Sequence, residues 1–214
     1  IDSIANNQKG LEQHLQNFLA REFGTAIAKE IAAVKNEYYR LAYIRKPEFM
    51  GATRTEESDP KYKIVADLPW SEEEIRQRLK EYATIDAKVM QLAKRISLTK
   101  QDSWFQLIEY PVRGAAAINQ KLLVAQLARH GKAAWSLSDA AYDTIVALTN
   151  KYNSLANGKW KYMMDMKPRK LAVFDKALPQ TFDKPLVQTV KPLFVFNGTA
   201  YKTFTCIKPL AHGL

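Results

Sequence analysis

Glu48 and Glu109 are the carboxylates of this 214-residue chain best placed for acid–base chemistry. Each lies among aromatics and beside a proline, in surroundings where burial would raise a carboxyl pKa. Hydrolysis by a carboxylate pair needs both groups held across a substrate cleft, and nothing in the sequence places these two together. Ion pairing or capping within the fold explains them more simply. His14, His130 and His212 are scattered through three contexts without ligand spacing, so no metal site is expected. One cysteine, Cys206, excludes an internal disulfide framework and a multi-cysteine metal centre; it reads as a small buried hydrophobe. There is no phosphate-binding glycine loop, dinucleotide fingerprint, zinc-protease motif or nucleophile elbow, and no cofactor is implied. Met163, Met164 and Met166 form a cluster better suited to adaptable packing than to holding a cofactor.

The net charge of +10 invites a nucleic-acid reading, so its distribution matters. Residues 1–150 are nearly neutral, whereas residues 151–214 hold eleven Lys and Arg against three Asp and Glu. A nucleic-acid module usually carries its charge on the folded binding face beside aromatics or a known motif. Here the excess belongs to the C-terminal part, either solvated or lying on an acidic neighbour. No apolar run approaches the roughly 18–20 residues of a membrane span. The N-terminal Ile-Asp-Ser-Ile has neither an initiator Met nor the basic and apolar regions of a signal peptide, and is expected to be a cut or processed end.

The elements that must position these residues are helices. Leu11, Leu15, Phe18 and Leu19 give residues 8–23 one apolar face, with Gly24 as C-terminal cap and Thr25 as N-cap of the next helix. Ile27, Ile31, Val34, Tyr38 and Leu41 recur at helical spacing, and Pro47 should stop that helix by about residue 45. Residues 46–69 are irregular and long enough to be mobile, functional or covered by another domain. Ser71-Glu-Glu-Glu74 is a capping box, with Trp70 and Ile75 at the staple positions; Trp70 as a sugar platform is the less economical reading. The third helix follows, with Ile75, Leu79, Tyr82, Ile85, Val89, Leu92 and Ile96 along one side.

Ser103-Trp-Phe-Gln106 reads as a second capping box. It opens a helix that bends near Pro111 and runs to His130-Gly131, apolar nearly all round and therefore central. Ser138 is expected to cap a fifth helix that ends at Asn157-Gly158. The fold class is mainly α: an antiparallel bundle of about five helices over residues 1–158. An irregular basic extension follows over 159–214. Leu193–Phe196, Asn197-Gly198 and Thr199–Thr205 carry a hairpin signal there. A lone hairpin is marginal in water, so it should lie on the bundle or lead into a further β domain. Asn197-Gly-Thr199 is also a glycosylation sequon.

Three stretches, in this order and spacing, resemble the helical domain of the family 115 glycoside hydrolases, the xylan α-glucuronidases. They are Glu37–Gly51 (EYYRLAYIRKPEFMG), Phe105–Ala117 (FQLIEYPVRGAAA) and Gly158–Arg169 (GKWKYMMDMKPR), and the match runs roughly over residues 25–175. The resemblance implies part of a larger secreted or periplasmic enzyme that removes glucuronic acid or its 4-O-methyl ether from xylan. In that family the active site lies on a (β/α)₈ barrel preceding the bundle, and a β-sandwich follows. No position here matches the barrel's catalytic carboxylates, so none is carried over. Ala52 stands where the family pattern leads one to expect Trp.

The expected function is thus that of a non-catalytic accessory domain, a fragment inactive alone. It would support the barrel, mediate homodimer contacts or supply a rim to a glucuronoxylan cleft. Lys159, Trp160, Met163, Met164, Glu48 and Phe49 are the candidate substrate or partner surface, since an aromatic beside a cation suits a glucuronate-bearing sugar. The alternative is a basic helical module binding nucleic acid or protein.

Overall fold

The computed structural model describes residues 8–51, 65–179, 193–197 and 200–204. The chain divides into two units, Ile1–Pro179 and Gln180–Leu214. In the first, α1 (Gln8–Phe23), α2 (Thr25–Ile44) and α3 (Glu72–Ala93) are followed by a fourth rod. That rod is made of α4 (Gln101–Trp104), a π-helical turn (Phe105–Glu109) and α5 (Tyr110–Arg129); α6 (Trp135–Gly158) completes an antiparallel bundle of five helical rods. In the second unit Leu193–Asn197 pairs antiparallel with Ala200–Phe204, Phe196 lying opposite Tyr201. Gly198, Thr199, Cys206 and His212 lie outside the described residues.

Two of the expected caps hold. Gly24, at φ 98°, closes α1 by donating its N–H to the Ala20 carbonyl at 2.9 Å, a left-handed conformation that glycine adopts without Cβ strain. The Ser71 hydroxyl accepts the Glu74 N–H at 3.2 Å, and the Glu74 carboxylate accepts the Ser71 N–H at 2.7 Å. Three other caps differ. Gly24, not Thr25, is the N-cap of α2. Ser103 sits inside the fourth rod, which is led in by a 3₁₀ turn at Leu98–Lys100. The last helix starts at Trp135, so Ser138 is already buried within it and donates its hydroxyl to the Lys121 carbonyl at 2.7 Å.

Pro111 does not break the fourth rod. Its missing N–H leaves the Leu107 carbonyl without the usual helical donor. The π turn immediately before it takes up the geometric misfit, and Lys35 Nζ from α2 lies 3.4 Å from the Leu107 oxygen.

The core falls into three clusters. The first joins α1, α2 and α3 to the start of the fourth rod, around Ile31, Leu41, Tyr82, Val89, Trp104 and Val112. A second gathers Met50, Leu68, Ile75, Leu122, Leu123 and Val173, and a third Phe105, Leu148 and Leu155. Residues 115–119 and 121–127 are all buried, so α5 is the axis around which the rest packs.

Candidate functional site

Buried polar side chains on α5 fasten irregular backbone to the helices. Gln126 brackets one residue of the loop before α3: its Oε1 accepts the Leu68 N–H at 3.0 Å and its Nε2 donates to the Leu68 carbonyl at 2.8 Å. Lys121, fully buried, donates from Nζ to the Val173 carbonyl at 2.7 Å and the Asp175 carbonyl at 2.6 Å. Burial lowers its pKa to about 8, with nearby Asp175 opposing the shift. Arg129 reaches Asp67 from Nε at 3.0 Å and the Leu178 carbonyl at 3.1 Å. Asn119 accepts from Arg78 Nε at 2.8 Å, and the same guanidinium donates to the Leu41 and Arg45 carbonyls at 3.2 and 2.9 Å. Arg78 therefore gives a donor to the Arg45 carbonyl just past α2 and a second one to the Leu41 carbonyl, which also accepts the Arg45 N–H at 3.3 Å, at a helix end whose dipole favours a cation. The rings of Trp70 and Tyr82 flank it at 5.3 and 5.1 Å.

Around these fastenings the three motif stretches pack in two places. The first ends in a 3₁₀ turn, Pro47–Phe49, after which Met50 is buried against Val173 and its neighbours. A Cβ on Gly51 would meet Val173 Cγ2 and Val65 Cγ1 at 3.4 Å, so the chain passes closely over Val173 here. The second stretch supplies Phe105 and Tyr110, packed with Tyr152 of α6 at centroid distances of 6.3 and 4.8 Å. Trp160 of the third stretch packs half-buried on that same cluster, and the chain then continues to Val173 beneath Met50 and Gly51.

The candidate surface residues divide accordingly. Lys159 is exposed, its ammonium 5.1 Å from the Trp160 ring centroid. Met163 is 55% exposed, whereas Met164 is pinned: Asn153 accepts its N–H and donates to its carbonyl, both at 2.9 Å. Phe49 and the half-buried Glu48 lie instead on the 3₁₀ turn, where the Arg45 guanidinium donates to the Phe49 carbonyl at 2.8 and 2.5 Å. Glu109 is buried in the π turn between Arg113 at 3.1 Å and Lys151 at 3.5 Å, an ion-paired carboxylate rather than one facing a cleft. His14 and His130 are exposed, the latter 3.4 Å from Asp67. Among the described residues there is no cluster of three or more metal-binding side chains, and no helix is long and apolar enough to cross a membrane. Ala52 lies outside the described residues.

Sequence reasoning missed Arg78, Asn119, Lys121, Gln126 and Asn153. A signal was present for three of them: Asn119, Lys121 and Gln126 interrupt an otherwise apolar run on the helix expected to be central, where a polar group persists only with a partner.

Fold and site together define a helical scaffold that holds irregular, motif-bearing segments against a buried polar spine. Among solved structures the chain is similar to BtGH115A, a family GH115 4-O-methyl-α-glucuronidase with specificity for decorated arabinogalactans. The TM-score is 0.78 and the identity 49%, over 90% of this chain and 25% of that one. No family model and no curated protein matches the chain. At this identity the chain is a helical domain of the family 115 glycoside hydrolase kind, and it spans a quarter of that enzyme's length.

Proposed function

We propose that this helical domain serves an α-glucuronidase-like glycoside hydrolase as a non-catalytic part, buttressing the catalytic barrel and lending a rim to the cleft that receives a uronic-acid-bearing polysaccharide. The observation that carries this reading is the 49% identity to a 4-O-methyl-α-glucuronidase across 90% of the chain. The pairing of Glu109 with Arg113 and Lys151 agrees with a structural role for that carboxylate. Glucuronoxylan is the substrate that the sequence motifs suggest. The arabinogalactan specificity of the similar enzyme makes uronic-acid-capped arabinogalactan the rival, and both present the same terminal sugar. The barrel and a second copy of the enzyme are the partners proposed, in a secreted or periplasmic setting.

The test is to assay the purified 214-residue chain for uronic acid release from glucuronoxylan and from decorated arabinogalactan. Neither substrate should be cleaved unless a barrel-bearing segment is supplied, and release by the chain alone would refute the reading. The basic residues of 151–214 favour one competing reading, a nucleic-acid module. Its signature would be tight DNA or RNA binding that weakens steeply with added salt.

A further inference from the structure

Backbone strain is concentrated between Leu155 and Lys170. Ala156 (φ 49°), Asn157 (φ 57°) and Gly158 (φ 82°) are left-handed in succession, and Tyr162 (φ 67°), Arg169 (φ 55°) and Lys170 (φ 57°) follow. Left-handed backbone crowds the Cβ of an L-residue against the next carbonyl, and a bulky side chain such as tyrosine rarely adopts it. Residues held in this way are over-determined by their surroundings and gather at functional sites.

Here the surroundings can be named. The Ala156 N–H donates to Asp102 Oδ2 at 3.2 Å, and the Asn153 side chain makes both of its bonds to the Met164 backbone. The Met163 N–H reaches the Trp160 carbonyl at 3.0 Å, and the Trp160 ring is seated on the Phe105–Tyr152 cluster. The loop is thus fixed on both sides of Tyr162.

Packing does not repay the strain at that residue, because Tyr162 is 84% exposed. What the loop gains is a ring held out in solvent beside a cation. Lys161 Nζ lies 5.1 Å from the Tyr162 centroid, and Lys159 stands at the same distance from the Trp160 ring. Neither lysine is in an ion pair among the described residues, whereas Lys167 and Lys176 nearby are held by Asp175 and Asp139.

We infer that the apex at residues 159–163 is a contact for an anionic saccharide, with Tyr162 stacking on the sugar face and Lys159 and Lys161 receiving the carboxylate. The inference rests on the α-glucuronidase reading, which supplies the uronic acid. It moves the aromatic platform from Trp160, whose ring is committed to packing, to Tyr162. A tyrosine side chain has only two torsions to surrender on binding, and exposed lysines have ample reach to a carboxylate.

The experiment is a calorimetric or NMR titration of the 214-residue chain with three probes. These are a 4-O-methylglucuronic-acid-bearing oligosaccharide, its carboxyl-reduced counterpart and a single-stranded oligonucleotide. The acidic sugar should bind, and the reduced one about tenfold more weakly; Tyr162→Ala should cost about tenfold, and Lys159→Gln or Lys161→Gln several-fold. Tyr162→Phe should bind as wild type, and unchanged melting temperatures would show that the variants fold. Equal binding of both sugars, wild-type affinity in Tyr162→Ala, or no binding of the acidic sugar would overturn the apex while leaving the domain assignment standing. Tighter, salt-sensitive oligonucleotide binding through the same residues would overturn both.

Discussion

The bundle holds two kinds of region together by different means. Where α1, α2 and α3 meet the start of the fourth rod, contact is almost wholly apolar, helix against helix, with Ile31, Leu41, Val89 and Trp104 removed from water. Where residues 47–51, 65–70 and 171–178 meet α5, irregular backbone lies on a helix. There Lys121, Gln126 and Arg129 satisfy carbonyl or amide groups that no helix or sheet ladder serves. An apolar seam fixes whole helices, whereas a buried polar side chain fixes one residue of a loop. The first motif stretch, Glu37–Gly51, ends in the second region, where backbone position matters more than bulk.

Substitutions should separate the two regions. Ile31→Ala removes a fully buried branched side chain from the apolar half and should cost about 2–5 kcal/mol. The loss should appear as a lower urea midpoint with the slope unchanged. Arg78→Ala acts at the border, leaving the Arg45 carbonyl and Asn119 without this donor and the Leu41 carbonyl with the Arg45 N–H alone; a loss of about 3 kcal/mol is expected in the same assay.

Lys121→Met should behave differently. The two lost hydrogen bonds are offset by the end of a buried charge's desolvation cost, so the global loss at pH 7 should be about 1 kcal/mol or less. The pH dependence sharpens this further. Burial lowers the Lys121 amine from 10.5 to about 8. Between those values the unfolded chain holds the proton and the folded chain does not, so unfolding takes up a proton. The contribution of this residue to stability therefore rises with pH from about 8 to 10.5, and below 8 the cost of the buried charge is present in full. Urea midpoints of wild type and Lys121→Met, compared across that window, should shift in favour of wild type as the pH rises; a flat difference would contradict the assignment.

Smaller effects belong to the surface. Ser71→Ala should lower the melting temperature by about 2–4 °C through loss of the capping box. Arg95→Ala breaks an exposed pair with Glu30 at 2.8 Å and should shift it by about 1 °C or less. Arg78 and Arg95 lie on or just beyond the same helix, so the contrast between them isolates burial as the cause.

The apolar half was legible in the sequence because helical periodicity records which face is buried: Ile27, Ile31, Val34 and Leu41 lie where their spacing puts them. The polar half was not. Nothing in the spacing of Lys121 says that its amine will find the carbonyls of Val173 and Asp175 more than fifty residues later. Ser103 and Ser138 misled because a serine before an apolar run looks like a cap whether the helix starts there or, as here, has already begun. Pro111 announced a disturbance, but its form as a π turn depends on packing around Phe105 and on Lys35 from another helix. At the candidate surface, Lys159, Trp160 and Met163 were legible as a dense aromatic and basic loop. The left-handed backbone that turns Trp160 inward and Tyr162 outward was not, since no residue at 162 favours that conformation.

Hydrogen exchange followed segment by segment tests the division between the two regions most directly. In a Lys121→Met, Gln126→Leu double variant, exchange should accelerate at residues 66–69 and 171–178 while α2 and α3 keep wild-type protection. Uniform acceleration through all helices, or unchanged protection in those two segments, would contradict the claim that α5's buried polar groups hold the irregular backbone in place.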